Sequence, residues 1–569
     1  MSDPKLPQPN QETSMEQRLL IAFGLMIVVM IVSTYLMPKQ PEADPKSAPA
    51  KQSAAIPASP APAPAPVASS PAKPGLPAGR APARVVGQKE ETATIETALH
   101  RVEFSNRGAV ARHWVLRNFK DSKNQALELI NPKAVEQYGY PLQLRYHEAQ
   151  TADLLNQALW AMKVSDDKLS VSFEYFDGTW RARKRLRFKN DSYVVDVESE
   201  VTAAGSPKPH LLAWRGGFGD FSVVGAAAAQ KNVYFETASG LTPKTADTAE
   251  KGPQANRGSF DFAGIADSYF AAVALPEGRQ FELHTFQDKA ANLIDGKEDP
   301  FPGMAVGGDA INRFPLFVGP KDTSLLRKIS PKLEQLVDFG YFTLLAKPLF
   351  LSLKWLHDNY LRNYGWTIVS ATVLINLLLM PLKLTSLKSM KQMSAIQPEM
   401  KKIQDKFAGM SMKDPRKQQQ NEEMMALYKK HGVNPMSGCM PMALQIPFFI
   451  AFYNVLANAI ELRGASWLWV ADLSRPEDAF GDFRILPISM LATQLLMQKM
   501  TPSTSVDPAQ QRMMLIMPLM LGFMFWGVSS GLVLYWLTGN VVGIAQQWLF
   551  NKLGSKPVLV TASSGLKKK

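Results

Sequence analysis

The spacing of apolar positions divides the chain into two regimes. From residue 361 onward, uncharged apolar runs dominate: Tyr364 to Leu382, Val433 to Ile460, Ile485 to Gln498 and Met513 to Phe550. The last is about twice the ~20 residues that one helix needs to cross a bilayer, so it has to fold back. Gly527, Ser529, Ser530 and Gly531 offer the turn. The pattern predicts spans at 361–382, 440–460, 483–499, 512–527 and 530–550. One earlier run, Leu19 to Met37, carries no charge and outlasts the ~7 to 15 residues of a secretory signal's apolar core, so residues 19–37 read as an uncleaved anchor after an N-terminal segment, 1–18.

From about Thr92 to Pro320 the period is two. Leu169-Ser170-Val171-Ser172-Phe173-Glu174-Tyr175 alternates, Asp177-Gly178 turns, Trp180 to Phe188 forms a basic strand, and Tyr193 to Val197 follows a turn at Asn190-Asp191. Residues 91–330 are therefore expected to form a large antiparallel β-sandwich. The linker before it, 38–90, opens with a Pro/Ala tract suited to extended polyproline-II.

Two further segments have helical spacing. In 331–360, Leu345, Leu349, Leu353 and Leu356 share a face opposite Lys347, Lys354 and Asp358, as in an amphipathic helix lying on a membrane. In 383–432, Met400, Ile403, Phe407 and Met410 make one seam, while Asp414 and Pro415 begin a second helix that ends at Gly432. These helices form a hairpin, with Ile403, Phe407 and Leu427 holding it shut. Met400, Met410, Met412, Met424 and Met425 offer a soft surface suited to varied apolar segments.

Charge sets the topology. The loop from Lys383 to Cys439 is dense in lysine, whereas the loop after the next span has only Arg463, Arg475 and Arg484. The tail, 554–569, adds Lys567, Lys568 and Lys569 without an acid. By the positive-inside rule the basic loop and tail are cytoplasmic, the protein has six spans with both termini inside, and 38–360 lies outside. The net charge of +13 makes anionic lipid or ribosomal RNA an available partner. Cys439 is the only cysteine, so no intrachain disulfide forms. The outer domain's histidines, His100, His113, His147, His210 and His284, are scattered, and Gly216-Gly217-Phe218-Gly219 lacks the context of a phosphate loop. No catalytic set, metal site or cofactor motif is recognisable.

Uncharged polar residues recur within the apolar segments: Thr372, Asn376, Gln445, Asn454, Asn458, Thr493, Gln494, Thr538, Asn540, Gln546 and Gln547. Helix-to-helix hydrogen bonding accounts for any one of them. As a set they point to a partly hydrated cavity.

The run NYGWTIVSATVLINLLLMPLKLTSLKSMKQMSAIQPEM, followed in order by MPMALQIPFFIAFYNVL, QKMTPSTSVDPAQQRMM and SGLVLYWLTGNVVGIAQQ, resembles the YidC membrane protein insertases, relatives of the Oxa/Alb insertases. The resemblance covers about 331 to 553 and, more weakly, the whole chain. It implies a multi-span α-helical bacterial inner-membrane protein with a large periplasmic β-supersandwich domain and no enzymatic step. It implies insertion and chaperoning of nascent membrane proteins, alone or beside the Sec translocon and its accessory subunits, through a groove open to cytoplasm and lipid. Thr372, Asn376, Gln445, Asn454, Thr493, Gln494, Tyr535, Trp536 and Asn540 are the groove residues this reading selects. Hairpin and tail would meet the nascent chain, the ribosome or the targeting machinery. The family's groove arginine falls, in register, on Asn376, and no Lys or Arg lies inside the uncharged apolar runs of the core spans. A solute transporter or channel with a sugar-binding-like outer domain is the alternative, as is a tethered carbohydrate-binding protein. A carrier's internal repeat and charged midplane residues are not visible, and the tethered protein leaves the five spans unexplained.

Overall fold

A computed structural model describes residues 84–553, apart from 147–148, 224–229, 237–239, 295, 340–341, 408–415, 434–439, 479–480, 482 and 502–507. The anchor at 19–37, almost all of the linker, Met410, Met412, Asp414, Pro415 and the tail with Lys567, Lys568 and Lys569 lie outside the described residues.

The first half is a β domain in which every strand pairing among the described residues is antiparallel. Four strands between Thr92 and Glu128 form one sheet in sequential order, and fourteen form the other. The 13-residue strand Gln254–Ala266 joins two parts of the large sheet, since 254–259 pair with Gln280–Thr285 and 263–266 with Ala271–Ala274. Where period two was legible it recurs as burial: Val171, Phe173 and Tyr175 are buried along Ser170–Phe176. A helix the alternation did not reveal, α1 (Ala149–Gln157), interrupts the strands.

The basic strand Trp180–Arg187 shows what alternation does when it meets a charge. Arg181, Arg183, Arg185 and Arg187 face outward, which puts Lys184 in the core between Ala182 and Leu186. Its Nζ donates to the carbonyls of Gly108, Ala109 and Leu142 at 3.1, 2.9 and 2.6 Å. Gly108 and Ala109, at φ +71° and +52°, make the left-handed turn that precedes Val110–Lys120 in the small sheet. The ammonium thus ties the two sheets together, with its three protons satisfied.

Among the described residues, nine helices of ten or more residues follow residue 342. They are α2 (Thr343–Leu356), α3 (Tyr364–Leu378), α4 (Met380–Ala395), α5 (Gln397–Lys406), α6 (Arg416–His431), α7 (Met440–Asn458), α8 (Ile485–Met500), α9 (Pro508–Met524) and α10 (Ser530–Leu553). The single amphipathic helix expected over 331–360 is divided: a 3-10 turn at Pro331–Leu336, then α2, then a π turn at His357–Leu361. Its most buried residues are Ala346, Phe350 and Leu353, rather than the leucine stripe alone, with Leu345, Leu349 and Leu356 partly buried beside them.

The first predicted core span is not straight. Pro381 has no N–H and its ring crowds the preceding turn, so α3 stops at Leu378 and α4 departs at 60°. Among the described residues no single helix is long and apolar enough to cross a membrane, and α3 with α4 meets that test only as a bent pair. At 16 residues, α8 is about 24 Å long, against a ~30 Å hydrocarbon core.

In the hairpin, Met393, Ile396, Met400, Leu427 and Val433 form a separate small core, with Ile403 and Met424 partly buried against it and Phe407 buried as well. Met400 and Phe407 are therefore packing residues. Among the described methionines of the hairpin, Met425, 44% exposed, is the one at the surface.

Candidate functional site

The bend between α3 and α4 builds the site. Leaving α3 at 60°, α4 carries Lys383 back toward the helix it follows, and Lys383 Nζ donates to Asn376 Oδ1 at 2.5 Å. Asn376 Nδ2 donates to the Thr372 carbonyl at 2.8 Å, which fixes the amide so that its oxygen faces the ammonium. The Asn376 carbonyl, one of those a helix end leaves for an outside donor, accepts from Gln546 Nε2 of α10 at 3.1 Å. An asparagine and a lysine seven residues apart thus form one polar centre.

That centre borders two adjoining cavities, of about 70 and 300 Å³. Lys383, Gln445, Trp536 and Asn540 line both; Asn376 and Tyr535 belong to the smaller, Gln494, Gln546 and Gln547 to the larger. The larger space is roomy enough for several waters, and its lining supplies the partners they would need. Met390, Met497 and Met517 complete its wall with polarizable, adaptable surface.

Hydrogen bonds across helices fix the walls. Asn540 Nδ2 reaches the Met490 carbonyl at 3.3 Å and Thr493 Oγ1 at 3.2 Å, and Trp536 Nε1 donates to Gln494 Oε1 at 3.3 Å, joining α10 to α8. Tyr535 stacks on Phe452 of α7 with ring centroids 4.3 Å apart. The other end of the bundle, toward the β domain, is solid: Ile368, Phe452, Leu456, Leu486, Leu532 and Leu534 are at most 1% exposed. The site is therefore a one-ended cleft whose open part lies beside α4, the stem of the hairpin.

Three residues selected from sequence play other parts. Thr372 is fully buried and its hydroxyl donates to the Ile368 carbonyl at 2.6 Å. Thr493 bonds its own helix and receives Asn540. Asn454 stands apart from the cleft, donating to the Phe339 carbonyl at 2.9 Å and so fastening α7 to the segment before α2. Conversely, Lys383 reads in sequence as the first charge of a basic loop, and only the bend at Pro381 brings it into the cleft. The signal that could have found it is that proline, which predicts a kink two residues earlier. Gln546 and Gln547, legible as polar positions in an apolar helix, prove to line the larger cavity.

Two family models match: "60Kd inner membrane protein" over residues 355–556 and "YidC periplasmic domain" over residues 92–352. The chain is 32% identical over 571 residues to a membrane protein insertase YidC of Pelobacter propionicus, covering 95% of this chain and 99% of that one. It is 37% identical over 407 residues to the YidC insertase of Cupriavidus metallidurans, covering 68% and 70%. A crystal structure of an active YidC insertase superposes with a TM-score of 0.33 at 20% identity, covering 81% of this chain and 93% of that one. The two matched regions correspond to a periplasmic β-rich domain followed by a helical region, and the chain belongs to the YidC family of membrane protein insertases.

Proposed function

We propose that this protein inserts and folds newly made inner-membrane proteins by receiving the polar flank of an incoming segment in the cleft while the apolar part passes sideways into lipid. The observation that carries this reading is the polarity of the cleft at one end and its solid packing at the other. A polar group pushed into hydrocarbon without a partner costs several kcal/mol. Lys383, Gln445, Gln494, Asn540, Gln546 and Gln547 offer such a group partners partway across, which lowers the barrier without a nucleotide or a metal. The short α8 brings the thinning of the bilayer that goes with such a path.

In this reading six spans place both termini and the hairpin in the cytoplasm and the β domain in the periplasm. The hairpin meets nascent membrane proteins through Met425 and its neighbours. The lysine-rich tail meets the ribosome or anionic lipid, and targeting machinery or the Sec translocon with its accessory subunits acts alongside. The relatives are insertases, and nothing in them supports a solute carrier. The test is insertion of a single-span substrate into liposomes holding only this protein, scored as protease protection. Protection equal to that of empty liposomes defeats the proposal.

A further inference from the structure

The segment that follows α7, residues 459–478, is unusual in what it touches. On one side Arg463 enters the β domain. Its guanidinium pairs with the Asp220 carboxylate, donates to the Lys120 carbonyl at 2.6 Å, and lies 5.6 and 5.3 Å from the ring centres of Tyr269 and Phe270. The two charged side chains are 5% and 1% exposed, so the pair is dry. Asp220 is itself set by its neighbours: its Oδ1 accepts from the Ser222 amide and hydroxyl, and its backbone N–H donates to Asp267 Oδ2 at 2.9 Å. A surface arginine lies free; this one is held by four groups.

On the other side the same segment grips the ends of three helices. The Ser466 carbonyl accepts from Asn363 Nδ2 just before α3, and Trp467 lies so close to Gly365 that a Cβ there would come within 2.1 Å of the indole. The Leu473 and Arg475 carbonyls accept from the Gly531 and Ser530 amides at the start of α10, at 2.8 and 2.6 Å. Glu477 accepts from the Leu486 amide at the start of α8, at 2.7 Å, and from Trp469 Nε1 at 2.6 Å. These are the helix ends nearest the β domain, directly over the packed end of the cleft.

We propose that residues 459–478 form a stopper over the closed end of the cleft, and that Arg463 is the positioning residue which fastens the stopper to the β domain through Asp220. The proposal rests on the insertase reading for its purpose, because a one-ended cleft is useful only where a membrane has to stay sealed while a polar flank enters. It also gives the β domain a task that needs no ligand: bracing the seal. An ion pair this deeply buried loses far more when one partner is removed than a surface pair does, so either residue alone is sensitive, whereas Arg463→Lys keeps the cation opposite Asp220.

The experiment uses the full-length protein with Cys439 replaced and a reporter thiol at Leu532→Cys, within the packed end. A membrane-impermeant maleimide is added from the β-domain side of right-side-out vesicles. In the parent, labelling is slow. Arg463→Glu raises the rate on the order of tenfold, since loss of one partner of a buried pair shifts populations by at least that factor. Arg463→Lys, which keeps a cation facing Asp220 and a donor for the Lys120 carbonyl but not the shape of the guanidinium, stays near the parent value, which a general packing defect would not do. A second reporter, Gly539→Cys in the cavity, keeps its labelling rate from the hairpin side throughout. If Arg463→Glu does not accumulate in membranes, Asp220→Asn, which keeps the shape and removes the charge, takes its place with the same expected direction. Unchanged labelling of a folded variant, or Arg463→Lys that labels as fast as Arg463→Glu, overturns the proposal. Liposome insertion is scored on the parent in parallel: an inactive parent with a working latch would refute the insertase reading and leave the stopper standing.

Discussion

Replacing Asn376 by leucine removes the acceptor that holds the Lys383 ammonium 2.5 Å away, and it also removes the donor to the Thr372 carbonyl. A hydrogen bond to a charged group contributes about 1.5 to 3 kcal/mol when its partner is left without a substitute. Lys383 borders both cavities, so water replaces part of the lost bond, and a net loss of about 1 kcal/mol is the better figure. At about 1.4 kcal/mol per factor of ten, the docked position of the ammonium becomes roughly fivefold less populated. Leucine also puts an apolar surface where the amide stood. Insertion of a substrate with a polar translocated flank is therefore expected to slow on the order of fivefold, while a strongly apolar segment, whose own burial drives entry, is little affected. Asn376→Arg should be poorly tolerated, because it sets a second cation beside Lys383, and Asn376→Arg with Lys383→Thr should recover much of the rate. The assay is initial rate of protease-protected insertion in liposomes for the two substrates. Equal rates for Asn376→Leu and the parent on the polar-flank substrate would show that the pair is only a helix-end contact.

Other expectations follow from the β domain, the hairpin and the stopper. Burial lowers the pKa of His100 to about 4, and its Nδ1 accepts from Trp114 Nε1 at 3.2 Å, a bond the protonated ring cannot accept. Burial lowers His210 to about 4 as well. Because both folded values lie below the unfolded one, stability is full above pH ~6.5 and falls with pH toward 4 by about 1.4 kcal/mol per unit for each; urea unfolding followed by tryptophan fluorescence should show this, with a shallower slope in His100→Gln. Met425→Ser should weaken crosslinking to nascent chains with no change in protease resistance of the hairpin, whereas Met400→Ser should loosen the hairpin by about 2 to 4 kcal/mol, visible as faster hydrogen exchange in α5 and α6. Gly365→Val should force Trp467 aside at a cost of about 1 to 3 kcal/mol and lower the melting temperature in detergent.

Much of this molecule is legible in its sequence because two signals are strong: the two-residue period of the β domain and the ordered motifs from Asn363 to Gln547. What stays hidden depends on direction. The cleft was expected to lack a cation because Lys383 falls after the first core span, and linear order does not carry the 60° turn that sends it back. Thr372 and Asn454 are polar residues on the same kind of helix as Asn540. Only packing decides that the first bonds its own turn, the second anchors Phe339, and the third reaches the cavity. In the hairpin, 3-4 spacing finds a seam but cannot separate Met400 inside from Met425 outside. Lys184 shows the opposite case, where the period outweighs the residue type: a lysine on the inward row of a strand does lie inward, because three carbonyls from a left-handed turn and its surroundings accept its protons.

The decisive measurement is insertion by the purified full-length protein, alone in liposomes, of a short single-span substrate carrying a polar flank, compared with Lys383→Met and with Gln546→Leu and Gln547→Leu combined. Protease-protected substrate well above empty liposomes for the parent, with a loss in each variant confined to the polar-flank substrate, is the result expected from a hydrated cleft that admits polar groups. Protection at the level of empty liposomes, or variants that insert both substrates as fast as the parent, would mean that the cleft is not the path.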